Sequence, residues 1–214
     1  STQPTPSDAR DTLVLERIYK EHYNTNFTAS WFLVRSGVKI DATGNLAGLG
    51  GGCENSPLAR GSTLGPLNLS MLSAGSVASS FIPLIGDGQV AARLERPFGR
   101  FNAGSPMVLA FTRGPVTNPQ MQFLSVPPGT PREGANGWWA LWNATRQDYR
   151  GFAPVHRGSA NILMADGSVQ SFKDTNGDGL LNNGFTADSA NGYADSSEEL
   201  PRTEFWSRYE LRQP

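Results

Sequence analysis

The run "HRGSANILMADGSVQSF", residues 156–172, decides the fold. Two strand-like segments, 161–165 and 168–172, flank Asp166 and Gly167. An Asp-Gly pair between such segments is the preferred two-residue loop of a type I′ hairpin, because both central residues of that turn take positive φ. The run is therefore read as an antiparallel hairpin, and Asp166 and Gly167 have a structural reason to be there. His156, one of two histidines, is separated from Asp166 by nine residues, a spacing that raises the question of a catalytic couple. A general base needs a nucleophile or a second proton-transfer group. The chain has no G-x-S-x-G elbow, no H-E-x-x-H helix, no Gly-rich phosphate loop ending in Lys-Ser/Thr and no Cys-x-x-Cys. His156 is therefore expected to hydrogen-bond to neighbouring backbone or to the hairpin, and no catalytic residue is assigned.

Directly downstream, "DTNGDGLLNNGF" (174–185) carries closely spaced oxygen ligands of the kind a hard cation takes. Asp174, Asn176 and Asp178 hold positions 1, 3 and 5 of a calcium loop, with Gly179 at the turn position 6. Leu180 can offer its carbonyl at position 7, and Asn182 stands at 9. Phe185 occupies position 12, where a bidentate acid would close an EF-hand, so Asp188 is the nearest carboxylate that could substitute. Calcium is the expected cofactor, bracing a loop rather than activating water. An Asx-rich turn without metal is the competing explanation, since Asn, Asp and Gly are also turn residues.

Upstream, residues 1–6 read as a polar lead-in and 7–23 as an amphipathic helix. Ser7 is a suitable N-cap, Asp8 and Asp11 sit in the positive first turns, and Leu15, Ile18 and His22 share one face. Residues 28–37, "TASWFLVRSG", read as a short buried strand, and 38–48 as a second with alternation at Val38 and Ile40. Residues 48–88 are Gly-, Ser- and Pro-rich without a lasting period and read as a long loop-rich region. Further strands are expected within 106–114 and 121–129. Trp138, Trp139 and Trp142 crowd into five residues, which places them either in the core or in an exposed binding platform.

A length of 214 residues suits one elaborated domain, here 7–214. With Lys+Arg 18 against Asp+Glu 19, the chain has no cationic excess for a phosphate backbone, so no nucleic-acid partner is expected. The lone Cys53 has no second thiol for a disulfide or a metal site. No run approaches the roughly 18 apolar residues that span a bilayer, and the chain is expected to be soluble.

The stretch "QDYRGFAPVHRGSANILMADGSVQSFKDTNGDGLLNNGF" (147–185) resembles the carboxy-terminal signature of a bacterial prepilin-like family named for its H-X9-DG motif, carried here by His156, Asp166 and Gly167. The similarity extends to "IYKEHYNTNFTASWFLVR" (18–35) and "SSEELPRTEFWSRYEL" (196–211). The resemblance implies an α+β, pilin-like head: an N-terminal helix packed on an antiparallel sheet, with long loops. Calcium near the carboxy terminus is familiar in the related pseudopilin heads. It further implies a non-catalytic structural subunit of a pilin- or pseudopilin-like filament or type II secretion apparatus, in the cell envelope or outside the cell. Its partners would be other copies, related subunits or secretion components. Membrane contact would come only through a hydrophobic N-terminal helix that this sequence does not contain. The alternative is an extracellular calcium-braced module that binds carbohydrate or protein through Trp138, Trp139 and Trp142.

Overall fold

The computed structural model describes residues 12–20, 26–39, 41–42, 60–94, 97, 101–117, 122–123, 131–134, 137–208 and 210–211. Its elements are β1 (Phe27–Ala29), α1 (Trp31–Arg35), α2 (Leu69–Ala74), β2 (Pro83–Asp87), β3 (Val90–Arg93), β4 (Pro106–Val108), β5 (Pro115–Thr117), β6 (Gln122–Phe123), α3 (Trp138–Ala144), β7 (Thr145–Gln147), β8 (Ser159–Met164) and β9 (Val169–Lys173). The fold is mixed helix and sheet. Its main layer is a four-stranded antiparallel sheet in the order β1-β2-β8-β9, beside a β3-β4 pair and a β6-β5-β7 sheet.

The hairpin forms as the alternation predicts. Along β8, Ala160, Ile162 and Met164 turn into the core while Ser159, Asn161 and Leu163 turn outward. Its loop is not the two-residue type I′ turn. Met164 N donates to Ser168 O at 2.8 Å and Gly167 N to Met164 O at 3.0 Å, so the loop has three residues, and only Gly167 among them has positive φ, at 87°. This is a type I turn closed by a left-handed glycine, the next commonest hairpin loop. Asp166 fixes it by accepting from Ser168 N at 2.9 Å and Ser168 Oγ at 2.7 Å. Type I′ geometry occurs instead at Arg157-Gly158, with φ of 56° and 83°, where His156 and Ser159 exchange backbone hydrogen bonds of 2.9 and 3.2 Å.

Residues 31–35, expected as part of a strand, are the helix α1. Ser30 is its N-cap, accepting from Leu33 N at 3.2 Å, and Trp31 N donates to Thr112 Oγ1 at 3.0 Å. A five-residue apolar run satisfies either secondary structure, and here the cap decides. The region 48–88 is not a loop throughout. Its described part holds α2, capped by Asn68 through a 3.0 Å bond from Met71 N, and β2, an interior strand of the main sheet. Pro83 is tolerated because it is the first residue of that strand.

The N-terminal helix is described over residues 12–20, with a π-helical turn at Leu15–Tyr19. Its packing on the sheet is not shown: Leu13 is 58% exposed, and neither Val14 nor Leu15 belongs to the core. The beginning of that helix, His22, Ile40, Cys53 and residues 1–6 lie outside the described residues.

The core lies against the inner face of the main sheet. Tyr149, Phe152, Phe172 and Phe205 meet there edge-on and stacked, with Trp31, Trp142 and Trp206 around them. Tyr149 Oη donates to Trp206 O at 2.7 Å, which satisfies the buried phenol, and burial pushes its pKa up. Val116, Phe185 and Tyr193 form a smaller satellite core. Among the described residues no helix is long and apolar enough to cross a membrane.

Candidate functional site

The face of the main sheet opposite the core is where exposed chemistry gathers. Strand register aligns Ala29, Ile85, Leu163 and Val169 in one row across all four strands. Phe27 stands beside the row, and Val169 is 65% exposed. Phe27, Ile85, Leu163 and Val169, together with Asp87, Asn161 and His156, line a shallow groove of about 420 Å³. Most of the groove's surface is apolar, and one end is polar. Antiparallel sheets commonly solvate one face, but then that face reads as polar. An apolar row there is a surface that stays in water at a free-energy cost.

His156 sits at the polar end with its side chain 60% exposed. Its Nε2 lies 3.2 Å from Oδ1 of Asp87, a buried residue at the end of β2. The other oxygen, Asp87 Oδ2, accepts from Asn161 N at 2.7 Å. The carboxylate can only accept, so it selects the tautomer that carries its proton on Nε2 and leaves Nδ1 as an acceptor in the neutral ring. Hydrogen bonding to neighbouring backbone was expected for His156; its main chain makes such bonds with Ser159, while its imidazole reaches the Asp87 side chain on the neighbouring strand. Nor does His156 pair with Asp166, which serves the far turn. The Asp166 carboxyl is held below its usual value by the Ser168 hydroxyl and N–H. Among the described residues lining the groove there is no Ser, Thr, Cys, Lys or Tyr to act as nucleophile beside His156.

The loop 174–185 is a nest of Asx turns. Asp174 accepts from Gly177 N at 2.6 Å and Gly179 N at 2.9 Å; Asp178 accepts from Leu180 N and Ala194 N, both at 2.8 Å. Asn176 accepts from Asp178 N and donates to Asp195 Oδ1, while Asn182 accepts from Gly184 N and Phe185 N. Asn176 thus ties the loop to Asp195, whose carboxyl pKa is lowered by Ser197 N–H and then by Asn176. Asp188 accepts from Ala190 N at 2.7 Å. The donors are all oxygen, as a hard cation requires, and each carboxylate oxygen keeps a further lone pair. Among the described residues, however, no three His, Cys, Asp or Glu side chains form a metal-holding group. The loop is instead closed by Glu199, a buried acid absent from the expected ligand set. It accepts from Thr175 N at 2.5 Å, Thr175 Oγ1 at 2.9 Å and Asn182 N at 3.1 Å.

The tryptophan cluster divides. Trp142 is fully buried, Trp139 stacks on it with centroids 5.3 Å apart, and the Arg132 guanidinium lies 4.5 Å above the Trp139 ring. Arg208 reaches the end of α3, donating to Asn143 O at 2.7 Å and Thr145 O at 3.0 Å. Burial, with Arg146 and Arg202 nearby, lowers its pKa to about 10. The side chain of Trp138 lies outside the described residues. Of the other two indoles, Trp142 is in the core and Trp139 is half-buried against it.

Two residues that matter here carry no local signal. Asp87 lies 69 positions from His156, inside "GDG", a string that reads as a turn. Glu199 lies 24 positions from Thr175. Comparison with family models, with curated proteins and with solved structures gives no match.

Proposed function

We propose that this chain is the non-catalytic structural head of a pilin- or pseudopilin-like assembly in the cell envelope or outside the cell, with other copies or related subunits, including secretion components, as partners. One observation carries the reading: among the described residues, the apolar row Ala29, Ile85, Leu163 and Val169 is left partly exposed on the outer face of the sheet. The amphipathic segment 7–23 ends just before β1, an edge strand of that same face, and its Leu13 is exposed. An intervening segment of a few residues reaches up to about 3.3–3.6 Å per residue, enough to fold the helix back across a narrow sheet. The helix then covers part of the row, and the rest of this face, with the long Gly-, Ser- and Pro-containing connections, remains for contacts between copies.

His156 and Asp87 act within this reading as a tie between β2 and the start of the hairpin. Calcium at Asp174, Asn176 and Asp178, with Asp195 as the adjacent acid, belongs to the same proposal as a brace. The rival carbohydrate- or protein-binding platform loses Trp142 to the core.

The test is to replace Ile85 or Val169 with Lys and cross-link cells producing the protein. Loss of high-mass species, with far-UV circular dichroism unchanged, supports assembly that depends on this face. Undiminished cross-linking contradicts it.

A further inference from the structure

A second cavity, of about 210 Å³, lies where three parts of the chain converge. Leu109 and Arg113 come from the β4–β5 connection, Asp148, Arg150 and Gly151 from the run after β7, and Leu180 and Asn191 from the Asx-rich region, with Gln89 completing the wall. It shares no residue with the outer face of the main sheet.

The charges in this cavity do not cancel. The buried carboxylate of Asp148 is taken by Arg150 in a two-pronged pair, Nε to Oδ1 at 2.9 Å and Nη2 to Oδ2 at 2.8 Å. Arg150 Nη1 donates to Asn191 O at 3.0 Å, which fixes the guanidinium in the wall. These two charges neutralise each other. Arg113 approaches the same Asp148 Oδ2 only to 4.0 Å, beyond hydrogen-bond distance, and its side chain is 57% exposed. The cavity therefore holds two guanidinium groups against one carboxylate. Arg113 lines it with a partly exposed side chain whose N–H groups make no hydrogen bond among the described residues.

We propose that this cavity binds a small carboxylate, held by Arg113 and flanked by Gln89. A fork of parallel N–H groups matches a carboxylate edge, the geometry Arg150 already makes with Asp148. The single excess positive charge fits a monoanion. A phosphate or sulfate dianion would meet the Asp148 carboxylate across the same short gap and is disfavoured. The volume is below the roughly 300–1,000 Å³ of drug-sized sites, which limits the ligand to a few carbons. The carboxylate comes either from a free small acid or from an acidic side chain of a neighbouring copy.

The experiment titrates the whole chain with sodium acetate and then propionate at constant ionic strength. Arginine Nε–H resonances are followed by NMR, and sedimentation is recorded in parallel. Saturable shifts of the Arg113 and Arg150 signals are expected. Arg113→Gln, an exposed substitution, should weaken the binding about tenfold or more, as loss of a charge-assisted fork requires, whereas Arg132→Gln should leave it unchanged. Binding to a monomer identifies a free acid; acetate that dissociates a self-associated form identifies the neighbouring copy. Unsaturable shifts, equal affinity in Arg113→Gln, or tighter binding of sulfate than of acetate would overturn the proposal.

Discussion

Replacing Asp87 with Ala removes two contacts of different worth. The first is the 2.7 Å bond from Asn161 N to Asp87 Oδ2. Hydrogen bonds to charged groups contribute about 1.5–3 kcal/mol, and an orphaned backbone N–H carries a comparable penalty. The second is the 3.2 Å contact to His156, whose ring is largely solvated. Pairs exposed to this degree contribute about 0.2–1 kcal/mol. Asp87→Ala should therefore cost about 2–4 kcal/mol and His156→Ala under about 1 kcal/mol. Asp87→Asn keeps an oxygen for Asn161 N and should fall between them. Urea unfolding of the three variants and of the double Ala variant gives the order and the coupling. If His156→Ala were the costlier substitution, the imidazole would be more than a tie to Asp87, and the reading of this pair as structural would fail.

Three further outcomes follow from the packing and the loops. At Gly86 an added Cβ would lie 2.8 Å from Phe152 Cδ1 and 2.9 Å from Ile162 Cγ1, so Gly86→Ala should destabilise by about 1–3 kcal/mol through overpacking, read by thermal unfolding. Glu199→Ala orphans Thr175 N and Asn182 N and should cost about 2–4 kcal/mol, with faster hydrogen exchange at those two amides; unchanged exchange would mean the loop holds itself. Asp166 has a folded pKa below its ordinary 3.8. Its contribution is fully present above the ordinary value and is lost as pH falls through the folded one, so the thermal midpoints of Asp166→Asn and the parent should converge as pH falls below 3.8. A constant gap would refute that linkage.

The hairpin β8–β9 was legible because a period of two against a core leaves one choice of face, and Ile162 and Phe172 take it. Its turn type was not, since Asp-Gly serves both a type I′ loop and a type I turn closed by a left-handed glycine. The segment 31–35 misleads because a short apolar run fits strand and helix equally; Ser30 was the available signal. β2 was hidden by its surroundings, a five-residue strand between glycine-rich segments. The Asx residues of 174–182 were visible as local pattern, but the loop's closure by Glu199 and the tie of His156 to Asp87 are long-range and leave no spacing to read.

Thiol accessibility on the outer sheet face tests the structural-head reading most directly. In a Cys53→Ser background, single cysteines at Ile85 and Val169 are labelled with a maleimide and compared with one at Leu69, which is 80% exposed. If segment 7–23 or a neighbouring copy covers the face, labelling at both positions should be about tenfold slower than at Leu69, equivalent to about 1.4 kcal/mol of protection. Labelling as fast as at Leu69 would leave the apolar row open to water and contradict the proposal.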